Sequence, residues 1–119
     1  DQALYALITD LEARGMLDDV AIAMWGEFGR TPKVNKNAGR DHWPKVMSAL
    51  LAGGGLRHGQ VIGATNSRGE YASERLVTEK NLHATLYHVL GIDPERTFIN
   101  NAGRPTYILD DREVIRELV

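Results

Sequence analysis

The sequence predicts an α/β domain in which helices pack on a mainly parallel sheet. Three observations carry that expectation. There are two stretches of helical apolar period, one unbroken apolar run after the first of them, and several short strand-like segments that alternate with the helices. With 119 residues, 43% of them hydrophobic and 25% charged, the chain has the length and composition of one ordinary globular domain.

The elements follow in order. Leu4, Leu7, Ile8 and Leu11 form one stripe over residues 1–14, with Met16 and Leu17 just beyond and Gly15 as a left-handed stop. Residues 20–25, VAIAMW, have no polar member, which predicts a strand buried on both faces as in parallel sheets. A polar loop follows, GEFGRTPKVNKNAGRDHWP, residues 26–44. Residues 46–52 suit a buried strand or a short helix; a strand is expected, ended by the three glycines at 53–55. GQVIGAT predicts a short strand and NSRGEYASERL a polar loop. TEKNLHATLYHVLGID predicts the second helix, capped by Thr78, striped by Leu82, Leu86, Val89 and Leu90, and stopped at Gly91. TYIL is the last expected strand, and the charged end of the chain is compatible with a further helix. No repeat or low-complexity tract interrupts the series.

Several function classes find no support. A net charge of -2 and scattered basic residues give no nucleic-acid stripe. The apolar runs are too short to span a bilayer. The chain has no Cys, which removes disulfides, thiolate metal sites and a Cys nucleophile. It opens at Asp1 directly on a helical pattern, so it is expected to be a piece of a longer polypeptide; the alternative is a mature end left after processing.

The loop at 26–44 is where chemistry is expected. Ligands of open α/β sheets bind beyond the carboxyl ends of the strands, and Glu27 stands just past such an end. The plainer alternative is a loop carboxylate paired with Arg30. A loop that leaves one strand and feeds the next element can fold its ends together, which would bring Glu27 to Asp41 and His42. Carboxylate and imidazole together make a common ligand set for Zn²⁺ and other divalent ions, and Arg30 and Arg40 suit bidentate recognition of an anion. His83 and His88 are five apart on the second helix and are expected to be structural. His58 lies in a Gly-rich turn, solvated or within reach of a site. The GGG run lacks the Gly-Lys-Ser/Thr of a phosphate loop, and Trp25 and Trp43 are expected to pack.

The order LYALITDLEARGMLDDVAIAMWGEFGRTP…GRDHWP…LLAGGG…NLHATLYHVLGID resembles the C-terminal half of a sulfatase-like protein of the alkaline phosphatase superfamily. More narrowly it resembles a sulfatase-like family marked by EFGRTP and GRDHWP. The resemblance implies the C-terminal portion of an alkaline phosphatase/sulfatase-like fold that hydrolyses sulfate or phosphate esters with a divalent metal (Zn, Ca, Mg or Mn). In that superfamily an Asp-His pair after this strand binds metal; here the pair is Glu27-Phe28. A further metal-binding His lies downstream, and His42 matches it. The resemblance thus implies Glu27 and His42 as ligands, with Asp41 as a third ligand or as the group that orients His42. Arg30 and Arg40 would contact the oxyanion. Phe28 in place of His implies a one-metal site or a degenerate one. The nucleophile and the other acidic ligands would belong to an N-terminal half, the partner of this chain beside an anionic ester substrate. Export to the periplasm is an expectation from the resemblance alone. The rival expectation, from a different class, is a non-catalytic sulfatase-like domain that serves binding or assembly.

Overall fold

The structure is a computed structural model that describes residues 1–119. It has two helices, α1 (Gln2–Ala13) and α2 (Glu79–Val89). Its strands are β1 (Ile22–Trp25), β2 (Gly29–Arg30), β3 (His42–Trp43), β4 (Ala49–Ala52), β5 (Ala64–Thr65), β6 (Ala72–Glu74), β7 (Thr97–Ile99) and β8 (Pro105–Tyr107).

The helices lie where the local signals put them. Thr78 caps α2 through a capping box: its hydroxyl accepts from the Asn81 amide, while the Asn81 side chain accepts from the Thr78 amide at 3.0 Å. Both helices end in the paired bonds of a left-handed C-terminal glycine. In α1 the Gly15 and Met16 amides donate to the Glu12 and Leu11 carbonyls, and in α2 those of Gly91 and Ile92 donate to His88 and Tyr87. Leu82 is buried on α2, Leu86 and Val89 are half-buried, and Leu90 is exposed.

The expected parallel sheet is overturned. The strands form four separate antiparallel pairs, β1–β4, β2–β3, β5–β6 and β7–β8. β1 runs against β4 in the register Ile22↔Ala52 to Trp25↔Ala49. The physical reason lies in the connection. A parallel neighbour needs a crossover that carries the chain back to its starting end, usually a helix. Here β1 is followed by the β2–β3 hairpin, so β4 returns in the opposite direction. The unbroken apolar run predicts burial on both faces, yet Met24 is 51% and Trp25 49% exposed, and β1 is an edge strand. The other strand expectations shrink as well: 46–52 becomes Ala49–Ala52, GQVIGAT keeps only Ala64–Thr65, and the end of the chain forms a turn rather than a helix. No helix is long and apolar enough to cross a membrane.

Buried side chains gather where α2, the glycine turn after β4 and the C-terminal residues meet: Ala52, Leu56, Leu82, Ala84 and Ile115. Gly54 wedges between Ala21, the residue before β1, and α2. A Cβ there would lie 2.8 Å from both the Ala21 Cβ and Val89 Cγ1, at a φ of +63°. The C-terminal segment is strapped down by polar bonds. Asn81 Nδ2 donates to the Glu113 carbonyl (2.9 Å), the Ile115 amide to Thr85 Oγ1 (2.9 Å), and Gln60 Nε2 to the Glu117 carbonyl (2.7 Å). Arg75 closes the strap with a bidentate pair to Glu117 at 2.6 and 2.9 Å.

Candidate functional site

The polar loop after β1 is a hairpin. Gly29 faces Trp43 and Arg30 faces His42 across β2–β3, and the Thr31 amide continues the ladder to the Asp41 carbonyl at 2.9 Å. The two ends of the loop therefore do meet. What meets is set by the two-residue alternation of strand side chains. Phe28, Arg30 and His42 share one face; Asp41, next to His42, is directed to the other.

On the first face the His42 ring lies on Phe28, with centroids 3.9 Å apart and planes inclined by 32°. The Arg30 guanidinium sits 5.4 Å from the centre of the same Phe28 ring, within cation–π range. Its Nη1 makes a long hydrogen bond, 3.4 Å, to the Arg40 carbonyl. Arg30 and His42 are both exposed. A guanidinium and an imidazole thus share one aromatic platform at the mouth of the hairpin.

The other polar side chains organise the loop. Asp41 Oδ1 accepts from Asn35 Nδ2 at 2.9 Å, and the Asp41 amide donates to Thr31 Oγ1 at 3.1 Å. Asn35 Oδ1 accepts from the amides of Asn37 (2.9 Å) and Gly39 (3.0 Å), which closes the tip. Arg40 Nη1 donates to the Thr31 carbonyl at 2.7 Å and to that of Pro32, so Arg40 clasps the backbone of its own loop. Thr31, Lys33, Val34, Asn35, Lys36 and Asp41 line an open cavity of about 360 Å³. Trp43 fixes the base of the hairpin. Its Nε1 donates to the Glu70 carbonyl at 2.7 Å, and its ring meets Tyr71 edge-on at 5.8 Å. The expectation that Trp43 packs holds; Trp25 is half exposed instead.

Glu27 is exposed and takes part in none of the ion pairs of the chain; Arg30 lies over Phe28 rather than beside it. No group of three or more His, Asp or Glu side chains is placed to hold a metal ion. The donor set explains this. Asp41 is engaged by Asn35 and directed away from His42, and His42 rests on a ring that cannot ligate. The residues present do not fit a metal centre within this chain.

His58, His83 and His88 are exposed. His88 borders a cavity of about 270 Å³ with Gly54, Gly55, Leu56, Val89 and Val119, none of them from the hairpin. Sequence reasoning missed Asn35 as the organiser of the loop. The signal was there in NKNAG, since Asn side chains close turns on amides two residues ahead. It also missed Phe28 as a platform.

No curated protein and no solved structure matches the chain. A match to Protein of unknown function (DUF1501) runs over residues 1–119, and the chain therefore belongs to that family.

Proposed function

We propose that the β2–β3 hairpin is the anion-recognising wall of a sulfatase-like hydrolase of sulfate or phosphate esters. The rest of the site, including the nucleophile, is contributed by an N-terminal half of the same protein. One observation carries this reading: Arg30 and His42 stand opposite each other in the hairpin register, both against the Phe28 ring and open to solvent. A guanidinium offers a planar fork that matches two oxygens of a tetrahedral anion, and an imidazole N–H supplies a further donor. Donors fixed in place before the reaction stabilise charge as it grows on the ester oxygens. Phe28 and the ladder hold both groups, and the Arg40 clasp and Asn35 keep the loop from fraying. The hairpin itself supplies binding and orientation.

A binding role without turnover, the rival reading, is favoured by one specific observation: Asp41 and His42 are not arranged as co-ligands. Aryl sulfate and aryl phosphate hydrolysis by the full-length protein tests the first reading. Arg30→Ala should lower kcat/KM by about 100-fold, the usual cost of one lost oxyanion donor. Ester binding with no turnover in the wild type would select the rival. Neither binding nor turnover would sink both.

A further inference from the structure

The β2–β3 hairpin concentrates positive charge in an otherwise acidic chain. Residues 28–45 hold five basic side chains, Arg30, Lys33, Lys36, Arg40 and Lys45, against one acid, Asp41, while the whole chain carries a net charge of -2. Not all of these bases are free. Arg40 is committed to the carbonyls of Thr31 and Pro32, and Arg30 lies over Phe28. Lys33 and Lys36 are exposed, and neither ammonium joins an ion pair. The carboxylates of Asp41 and Glu70 are engaged by the side-chain amides of Asn35 and Asn66, at 2.9 and 3.3 Å, rather than by a lysine.

The main chain beneath the two lysines is held in place. Thr31 Oγ1 donates to the Lys33 carbonyl at 2.9 Å, and the Asn35 amide donates to the Gly39 carbonyl at 2.8 Å. Two unpaired ammonium groups thus stand on a hydrogen-bonded rim around the cavity of about 360 Å³. An ammonium is a compact charge with three donors, suited to the oxygens of sulfate or phosphate. The cavity begins close to the Arg30–His42 pair. Thr31 follows Arg30, Asp41 precedes His42, and one residue of strand advances about 3.4 Å. Strand alternation sets the two places on opposite faces, so a ligand that reaches both passes over the edge of the hairpin.

We propose that the tip cavity is a second anion subsite, where Lys33 and Lys36 hold a further sulfate or phosphate group of the ester bound at Arg30 and His42. The substrate class is then a flexible ester with at least two anionic groups, not a simple monoester. The inference rests on the ester-binding reading of the hairpin.

Calorimetry on the natural full-length protein tests it, at constant ionic strength, with octyl sulfate and a terminal octanediol bis-sulfate, and with the matching phosphates in a second arm. A two-headed ligand gains affinity only where its linker spans both sites. The bis-ester should bind at least about tenfold tighter than the monoester. The double variant Lys33→Ala/Lys36→Ala should lose that gain and keep the monoester affinity. Lys45→Ala removes a base outside the cavity and should keep the gain, whereas Arg30→Ala should weaken both esters. Equal affinities for the two esters, with Arg30 still needed, would overturn the subsite and leave the ester-binding reading intact. An equal loss of the gain in Lys45→Ala would overturn it as diffuse attraction. Bis-ester binding that needs the two lysines but ignores Arg30→Ala would overturn it through failure of the Arg30–His42 reading. No binding of either ester would overturn both.

Discussion

The imidazole of His42 reaches across from β3 to lie on the ring of Phe28, 3.9 Å between centroids, and Arg30, its partner in β2, stands 5.4 Å from the centre of the same ring. Phe28 is thus a positioning residue, and its loss should loosen two donors at once. Phe28→Ala should weaken binding of sulfate or phosphate esters about fivefold, the equivalent of roughly 1 kcal/mol of aromatic and cation–π contact. The effect should fall on KM more than on kcat, and the ring protons of His42 should lose their aromatic ring-current shift in NMR spectra. Phe28→Tyr should restore both.

The capping box of α2 makes a graded prediction for stability. Thr78→Ala should cost about 1 kcal/mol. Asn81→Ala should cost more, about 2 kcal/mol, because Asn81 is buried and its Nδ2 also satisfies the Glu113 carbonyl. Urea denaturation of the two variants checks the order.

Glu117 gives the fold an acid-sensitive tie. The hydrogen bonds from Arg75 hold its carboxyl down at about 2, below the ordinary 4.5. A depressed folded-state value means that the pair stabilises the fold above the unfolded value and is lost as pH falls toward the folded one. Wild type should therefore exceed Glu117→Gln in stability by a constant margin above about pH 5, and the margin should shrink between about pH 4.5 and 2. Both side chains are partly open to solvent, so the margin should also shrink with salt. Thermal melts along a pH series provide the check.

Gly54 should tolerate no side chain. Ala there places a Cβ against Ala21 and Val89 and adds the steric cost of a positive φ. Gly54→Ala should cost at least about 2 kcal/mol, the sum of overpacking and left-handed strain. The same change at Gly55, where nothing lies within 4 Å of the added Cβ, carries the φ penalty alone and should cost less.

Which parts of this structure were legible in the sequence follows from how far apart the deciding residues lie. Thr78 with Asn81, and Gly15 and Gly91 as stops, act within one turn of helix, and both helices were placed within a residue or two of their ends. The direction of β4 relative to β1 depends on what the intervening chain does, and nothing in VAIAMW or SALLA encodes it. The loop shows the same division. Its polarity and its two ends marked it as a place where distant residues meet, but strand alternation decided which ones. A change of one residue in register exchanges the two faces. That is why Arg30 and Phe28 accompany His42, while Asp41 turns to Asn35.

The most direct test of the central claim is an NMR titration of the full-length protein with inorganic sulfate and then phosphate, at constant ionic strength, following the Arg30 guanidinium and the His42 imidazole. The account predicts saturable shifts at both side chains, absent with chloride, and lost at His42 when Arg30 is replaced by Ala. Shifts confined to the Lys33–Lys36 tip, or none at Arg30 and His42 with either anion, would contradict it.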